Sequence, residues 1–202
     1  MDLAGRRYYS VRRCFTMELM EAITDRRSVR KFADYHITDK EIREMLNAAR
    51  LAQSWANTQV WEFIVVRDRD LIRKVTETYS IGNPSTKCSM SASALVVVCA
   101  KMGISGCKGG VEQTKFSEWF MFDLGIAVQN LCLRAHELGL GTVVVGLMDH
   151  DACGKLLAVP EGYEAVVSIP VGRPVEEKKG PPRRSLDKCS HLNRFGNSFH
   201  SD

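Results

Sequence analysis

Residues 117–141 read SEWFMFDLGIAVQNLCLRAHELGLG, and this stretch decides the architecture. Phe120, Leu124, Val128, Leu131, Ala135 and Leu138 recur at helical spacing, so one stripe of a helix over 119–138 faces a core. Met121, Ile126, Ala127, Cys132 and Leu133 extend the apolar character almost all the way round. A helix of that kind is covered on several sides, inside its own fold or at a subunit interface. Gly139 stands where a left-handed C-terminal cap belongs.

Strands are expected on both sides of this helix. Upstream, WEFIVVRD (61–68) and ALVVVCAK (94–101) read as strands buried on both faces. Downstream, TVVVG (142–146) and EAVVSIPVG (164–172) read as two more. Further out, HITDKEIREMLNAARLA (36–52) opens with Thr38 and Glu41 as a capping box, and Ile42, Met45, Leu46 and Ala49 form its apolar stripe. MELMEAITDRR (17–27) is a short amphipathic helix on Met17, Met20 and Ile23, and DRDLIRKVTETYS (68–80) is another short helix. Residues 103–115 hold four of the fifteen glycines and read as a loop and candidate lid. The connector 173–185 is polar and Pro-rich, and the tail from Leu186 has little core of its own. The result is an α+β layout, a central mixed sheet flanked by helices, in one domain over 17–202. Residues 1–16 lack periodicity and read as a disordered extension or a mis-assigned start before Met17.

Composition narrows the function classes. An apolar fraction of 45% suits a globular chain, and 202 residues suffice for a core without staples. Of the net charge of +4, the first sixteen residues carry about +3 through Arg6, Arg7, Arg12 and Arg13 against Asp2. The remaining body is nearly neutral, which argues against a nucleic-acid-binding module built on that arm. The seven cysteines are odd in number and contain no C-x-x-C, so a reducing, cytoplasmic setting fits and a disulfide framework does not. Cys189 and His191 lack a second close pair, so no metal site is expected. No signal peptide is visible, and the run 94–100 is too short to cross a bilayer. His136, on the apolar helix, reads as a core or interface residue, and His150 as a surface one.

Against that background RRSVRK, Arg26 to Lys31, places five cationic or hydroxyl side chains in six residues. Ser54, Asn57, Thr58 and Gln59, between Trp55 and Trp61, offer amide and hydroxyl groups suited to the edge of a planar heterocycle. Read alone, the first is a solvated face, the second a polar loop, and Arg183–Arg184 a linker charge pair.

Taken in order, RRSVRKF, SWANTQVWEF, GIAVQNLCLRAHELGLGTVVVG, IPVGRP and PPRRSLD resemble the nitroreductase family of FMN-dependent oxidoreductases over about residues 17–195. The resemblance implies a nitroreductase-like α+β fold and an intertwined homodimer with FMN at each subunit interface. It also implies a C-terminal arm wrapped on the partner. Arg26, Arg27 and Ser28 would hold the phosphate and ribityl chain, and Arg30 would lie by the N1/O2 side of the ring. Ser54, Trp55 and Asn57 would come from the other subunit. Val145, Gly146 and Leu147 would face the ring, the last two with backbone N–H groups toward N5 and O4. Arg183 aligns with a late phosphate-binding arginine, and Arg184 is the alternative.

The implied activity is ping-pong hydride transfer from NADH or NADPH to FMN and on to a nitroaromatic, quinone or similar acceptor, with no side-chain general base. The alternatives are a flavin-binding or sensing protein without turnover, a reductive dehalogenase, or a flavin-fragmenting member. Two departures are visible. Gln53 and Val60 stand where the family often has proline, and Gly146 stands where some members place a glutamate.

Overall fold

The computed structural model describes residues 17–176 and 180–199. The expectations for residues 1–16, and part of the 173–185 connector, therefore lie outside the described residues. The elements in chain order are α1 (Leu19–Asp25), α2 (Asp39–Arg50), a 3₁₀ turn (Trp55–Asn57), β1 (Trp61–Val66), α3 (Arg69–Glu77), α4 (Thr86–Ser91) and β2 (Ala94–Lys101). They continue with β3 (Cys107–Lys108), β4 (Val111–Glu112), α5 (Trp119–Glu137), β5 (Gly141–Thr142), α6 (His150–Leu156), β6 (Tyr163–Gly172) and a 3₁₀ turn (Leu186–Lys188).

The main sheet has the order β1-β2-β6-β5 with antiparallel ladders. One parallel bridge, Ser28 to Thr142, makes the pairing mixed. β2 lies centrally and is buried along Ala94–Ala100. Its side chains alternate between two cores, as a strand's period of two requires. Ala94, Val96, Val98 and Ala100 meet α2 and α5, while Leu95, Val97 and Cys99 meet residues of α3, α4 and α6. Two helical layers thus enclose one sheet.

Local chemistry sets the helix ends. The Thr38–Glu41 capping box forms in both directions. Glu41 is pushed upward by burial, but the Thr38 N–H, the Tyr35 and Thr38 hydroxyls and Arg173 outweigh this and hold its carboxyl below the ordinary value. α5 closes in a Schellman motif: the Leu140 N–H donates to Ala135 O at 2.8 Å and the Gly139 N–H to His136 O at 2.9 Å. Gly139 supplies the required positive φ of 72°.

Three strand expectations change. β1 is an edge strand, so Phe63, Ile64 and Val65 are only half-buried rather than covered on both faces. The strand expected over 142–146 is paired only at Gly141–Thr142 and returns as a bridge at Val145. The next partner on β6 is Pro170, which has no N–H to return to Val143, so the ladder lapses there. The loop 103–115 contains a small hairpin, β3–β4.

α4 and α6 were not expected. Each is one or two turns long and buries only one or two side chains, too few for a periodic stripe. The Asp149 side chain caps α6 by accepting from the Ala152 N–H at 2.9 Å, which was a readable start signal.

The helix that opened the reading is not fully covered. Leu124, Ala127, Val128, Leu131, Cys132 and Ala135 are buried, whereas Met121 is 50% and Phe122 58% exposed. Leu19, Met20 and Ile23 of α1 and Leu186, Leu192, Phe195 and Phe199 of the tail are also exposed.

Candidate functional site

The cationic segment is clamped edge-on between two parts of the chain. The Val29 N–H donates to Thr142 O at 2.9 Å, and the Ala33 N–H to Arg173 O at 2.8 Å. The Val175 N–H donates to Lys31 O at 3.2 Å, and Phe32 bridges Pro174. Two glycines permit this approach. A Cβ on Gly141 would lie 2.6 Å from Val29 Cγ2, and one on Gly172 would lie 2.9 Å from Phe32 Cγ. The Val29 and Phe32 side chains therefore pack where only hydrogen fits on Gly141 and Gly172, and Arg30, between them, is carried on a fixed rail.

Among the described residues Arg26, Arg27 and Arg30 make no ion pair, while Lys31 pairs with Glu176 at 3.3 Å. Arg27 donates from Nη1 to the carbonyls of Thr24 and Arg26, and its Nε is buried without a partner among the described residues. A buried guanidinium N–H left unpaired is costly and calls for an anion. Arg26 and Arg30 reach different walls of the fold. Burial pushes up the thiols of Cys132 in α5 and Cys88 in α4, and the charges of Arg26 and Arg30, respectively, oppose that push.

The same clamp delivers the second group of residues. From Thr142 the chain passes to Val145, which exchanges N–H···O bonds of 2.9 Å with Ser168 and is buried. Gly146 and Leu147 then turn outward. Their N–H groups donate to no described residue, and both are exposed. Their orientation is set from behind: the Leu147 carbonyl accepts from the Ser80 N–H at 3.2 Å and from Asn83 Nδ2 at 2.9 Å. Asn83 is a positioning residue that sequence reasoning missed. The turn signal of IGNPS was present, but nothing in it pointed to a carbonyl 64 positions away.

Ser54, Trp55 and Asn57 form a separate, strained loop. Ala56, Asn57 and Gln59 all have positive φ, at 44°, 57° and 48°. Ser54 Oγ accepts from the Gln59 N–H, the Thr58 hydroxyl and N–H both donate to Trp55 O, and Asn57 Oδ1 accepts from Gln59 Nε2. The Trp55 N–H donates to Asp123 Oδ1 at 2.9 Å, a tie that sequence reasoning also missed. No hydrogen bond joins this loop to Arg26–Arg30 or to Val145–Leu147 among the described residues.

Arg183 and Arg184 are exposed. The tail nonetheless begins against the cationic cluster, because Gly180 packs on Arg27 so closely that a Cβ there would meet Nε at 2.4 Å. His150 is exposed as expected, with Nδ1 at 2.9 Å from Ala165 O. His136 keeps a buried Nε2 without a partner, which fits the core or interface role. Among the described residues no His, Cys, Asp or Glu group could hold a metal ion, and no helix is long and apolar enough to cross a membrane.

The arrangement fits a flavin mononucleotide. Guanidiniums without counter-ions among the described residues and an orphaned Arg27 Nε suit a phosphate dianion, and two backbone donors with no acceptor among those residues suit the polar edge of a flat ring.

Comparison with known proteins gives the same direction. The family model described as "Nitroreductase family" matches residues 23–173. A relative in Archaeoglobus fulgidus, "Putative NADH dehydrogenase/NAD(P)H nitroreductase", is 34% identical over 80% of this chain and 88% of its own. The NADPH-flavin oxidoreductase of Vibrio harveyi is 27% identical over 87% of this chain and 74% of its own. Among solved structures, an FMN-dependent nitroreductase from Clostridium difficile superposes with a TM-score of 0.73 at 27% identity, covering 88% of this chain and all of that one.

Proposed function

The chain belongs to the nitroreductase family, and on that premise we propose that it is an NAD(P)H-dependent flavin oxidoreductase that uses FMN to reduce electron-poor organic acceptors. The observation that carries this reading is the set of guanidiniums at Arg26, Arg27 and Arg30, which among the described residues have no carboxylate partner and leave one buried Nε unpaired. The chemistry that FMN supplies when bound is reversible two-electron transfer between a reduced nicotinamide and a nitroaromatic, quinone or similar acceptor, in two half-reactions.

The chain's own residues bind, orient and polarise. Arg26, Arg27 and Ser28 take the phosphate and ribityl chain, with Arg183 joining from the tail and Arg184 as the alternative. Arg30 places a fixed positive charge by the N1/O2 edge, where it favours the reduced form electrostatically. The outward N–H groups of Gly146 and Leu147, set by Asn83 and backed by Val145, hold the N5/O4 side without a titrating group. No side-chain acid or base is required.

Ser54, Trp55 and Asn57 act from a second copy of the chain, which completes the site. The exposed Met121 and Phe122 of α5, the apolar face of α1 and the tail phenylalanines are the surfaces that such a homodimer would bury. The protein working in the cytoplasm, where reduced nicotinamides are abundant, is part of the same proposal.

The test is reconstitution with FMN followed by anaerobic mixing with NADH and with NADPH. Bleaching of the flavin band and its return on adding menadione is the expected result. A chain that binds no FMN overturns the proposal. FMN that binds but is reduced by neither nicotinamide favours the sensing role instead.

A further inference from the structure

Asp123, in α5, is 1% exposed, and no cation pairs with it among the described residues. A buried carboxylate is retained only when hydrogen bonds replace its hydration. Here the donors come from two different loops. The Trp55 N–H donates to Oδ1 at 2.9 Å, and the Ser105 hydroxyl donates to Oδ2 at 2.7 Å. Ser105 roots the 103–118 loop, and both it and Gly106 are buried.

Each loop is in a state that needs an external hold. The 54–59 loop carries three non-glycine residues at positive φ within four positions. Each such residue costs about 1 kcal/mol or more and persists only when its surroundings over-determine it. The other side-chain hydrogen bonds of Ser54–Gln59 are internal to the loop, so Asp123 is its side-chain tie to the fold among the described residues. The 103–118 loop is tied at the other end of the same helix turn. Gly106 packs on Trp119, whose Nε1 donates to Thr114 Oγ1 at 2.7 Å, and the Gln113 N–H donates to Gly106 O at 2.8 Å.

We propose that Asp123 is a positioning residue that couples the two loops. Its Oδ1 holds the loop that reaches the flavin and its Oδ2 holds the root of the 103–118 loop, so the order of one depends on the order of the other. This rests on the function proposed above only in taking Ser54–Asn57 as flavin-contacting. The coupling itself stands on the carboxylate geometry. The 103–118 loop, which exposes Phe116 and Val111, thereby becomes part of the acceptor side of the site.

Three variants test this. Asp123→Ala removes both ties. Asp123→Asn keeps them, because the amide oxygen accepts from the Trp55 N–H while the amide nitrogen donates to the rotatable Ser105 hydroxyl. Ser105→Ala removes only the second tie. Each is measured by amide hydrogen exchange and FMN titration, at temperatures well below its own unfolding, and by steady-state kinetics with menadione.

Asp123→Ala should speed exchange in both 54–59 and 103–118 and weaken FMN binding about tenfold, the size of one charge-assisted hydrogen bond. Asp123→Asn should restore both readouts. Ser105→Ala should speed exchange mainly at 103–118 but also at 54–59, raise the KM for menadione several-fold, and weaken FMN binding less than Asp123→Ala does; exchange at 54–59 equal to wild type in Ser105→Ala also overturns the coupling. Unchanged exchange at 54–59 in Asp123→Ala, or FMN affinity equal to wild type, overturns the proposal. If the wild-type chain binds no FMN, the functional reading fails, and the exchange comparison alone still decides whether the loops are coupled.

Discussion

Adding one methyl group at Gly141 tests how the fold carries the site. The new Cβ would lie 2.6 Å from Val29 Cγ2, 2.7 Å from Val29 Cβ and 2.9 Å from Val29 Cγ1. Carbon atoms in contact normally sit about 3.5–4.0 Å apart, so all three pairs overlap by most of an ångström. Rotating Val29 does not relieve this, because its Cβ is itself too close and does not move with χ1. The segments must separate, and that strains the Val29 N–H to Thr142 O bond of 2.9 Å. Overpacking of this kind costs about 1–3 kcal/mol, and a weakened hydrogen bond adds about 1 kcal/mol. The stiffer unfolded chain returns about 0.4–1 kcal/mol, which leaves a net loss of about 2 kcal/mol. For a chain of this length that is a drop in Tm of roughly 4–8 °C. FMN affinity should fall as well, because the strained bond carries Arg26–Arg30. Scanning calorimetry and FMN titration of Gly141→Ala, Val29→Ala and the double variant make the cycle. The double variant should recover only part of what Gly141→Ala loses, since truncating Val29 removes both Cγ atoms but leaves its Cβ 2.7 Å from the new one. A Gly141→Ala protein as stable as wild type, or a double variant less stable than the two single losses combined, would refute the reasoning.

Further outcomes are expected elsewhere in the chain. Arg30→Met should lower the flavin midpoint potential while Arg26→Met mainly weakens FMN binding, and redox titration beside binding titration separates the two. Burial pushes the thiols of Cys99 and Cys153 up from 9.0 to about 11. Both therefore hold their protons in the folded state to higher pH than in the unfolded chain. Their contribution is whole below about pH 9 and is lost as pH rises toward 11. Urea midpoints should fall across that window, and less steeply in Cys99→Ala/Cys153→Ala; an unchanged slope counts against the assignment. Asn83→Ala frees the Leu147 carbonyl and should alter the flavin absorption envelope and slow reduction by NAD(P)H, with Tm falling by only a few degrees. A chain ending at Gly180 should sediment as a weaker dimer and bind FMN less tightly; a full-length, flavin-loaded monomer at micromolar concentration would exclude the dimer.

Much of this was legible in the order of residues, for a physical reason in each case. The α2 start was readable because a capping box is local, three residues long and chemically specific. The end of α5 was readable because only glycine adopts the left-handed cap freely. β2 was readable because burial on both faces removes every polar side chain from seven successive positions. The cationic segment showed its chemistry in its composition, and its family resemblance in five motifs in order.

The rest depended on contacts between residues far apart in the chain. Pro170 ends a ladder on a strand it does not belong to. β1 is half-exposed because it lies at the sheet's edge, a matter of topology that its apolar sequence does not encode. Asp123 and Asn83 look like ordinary polar residues until folding sets them against Trp55 and Leu147. The sequence by itself determined the longer helices, the central strand and the chemical character of the cofactor groups, because those follow from neighbours along the chain. Which groups lose their water, and which carbonyl or amide each is left to satisfy, was decided only when the helices closed on the sheet.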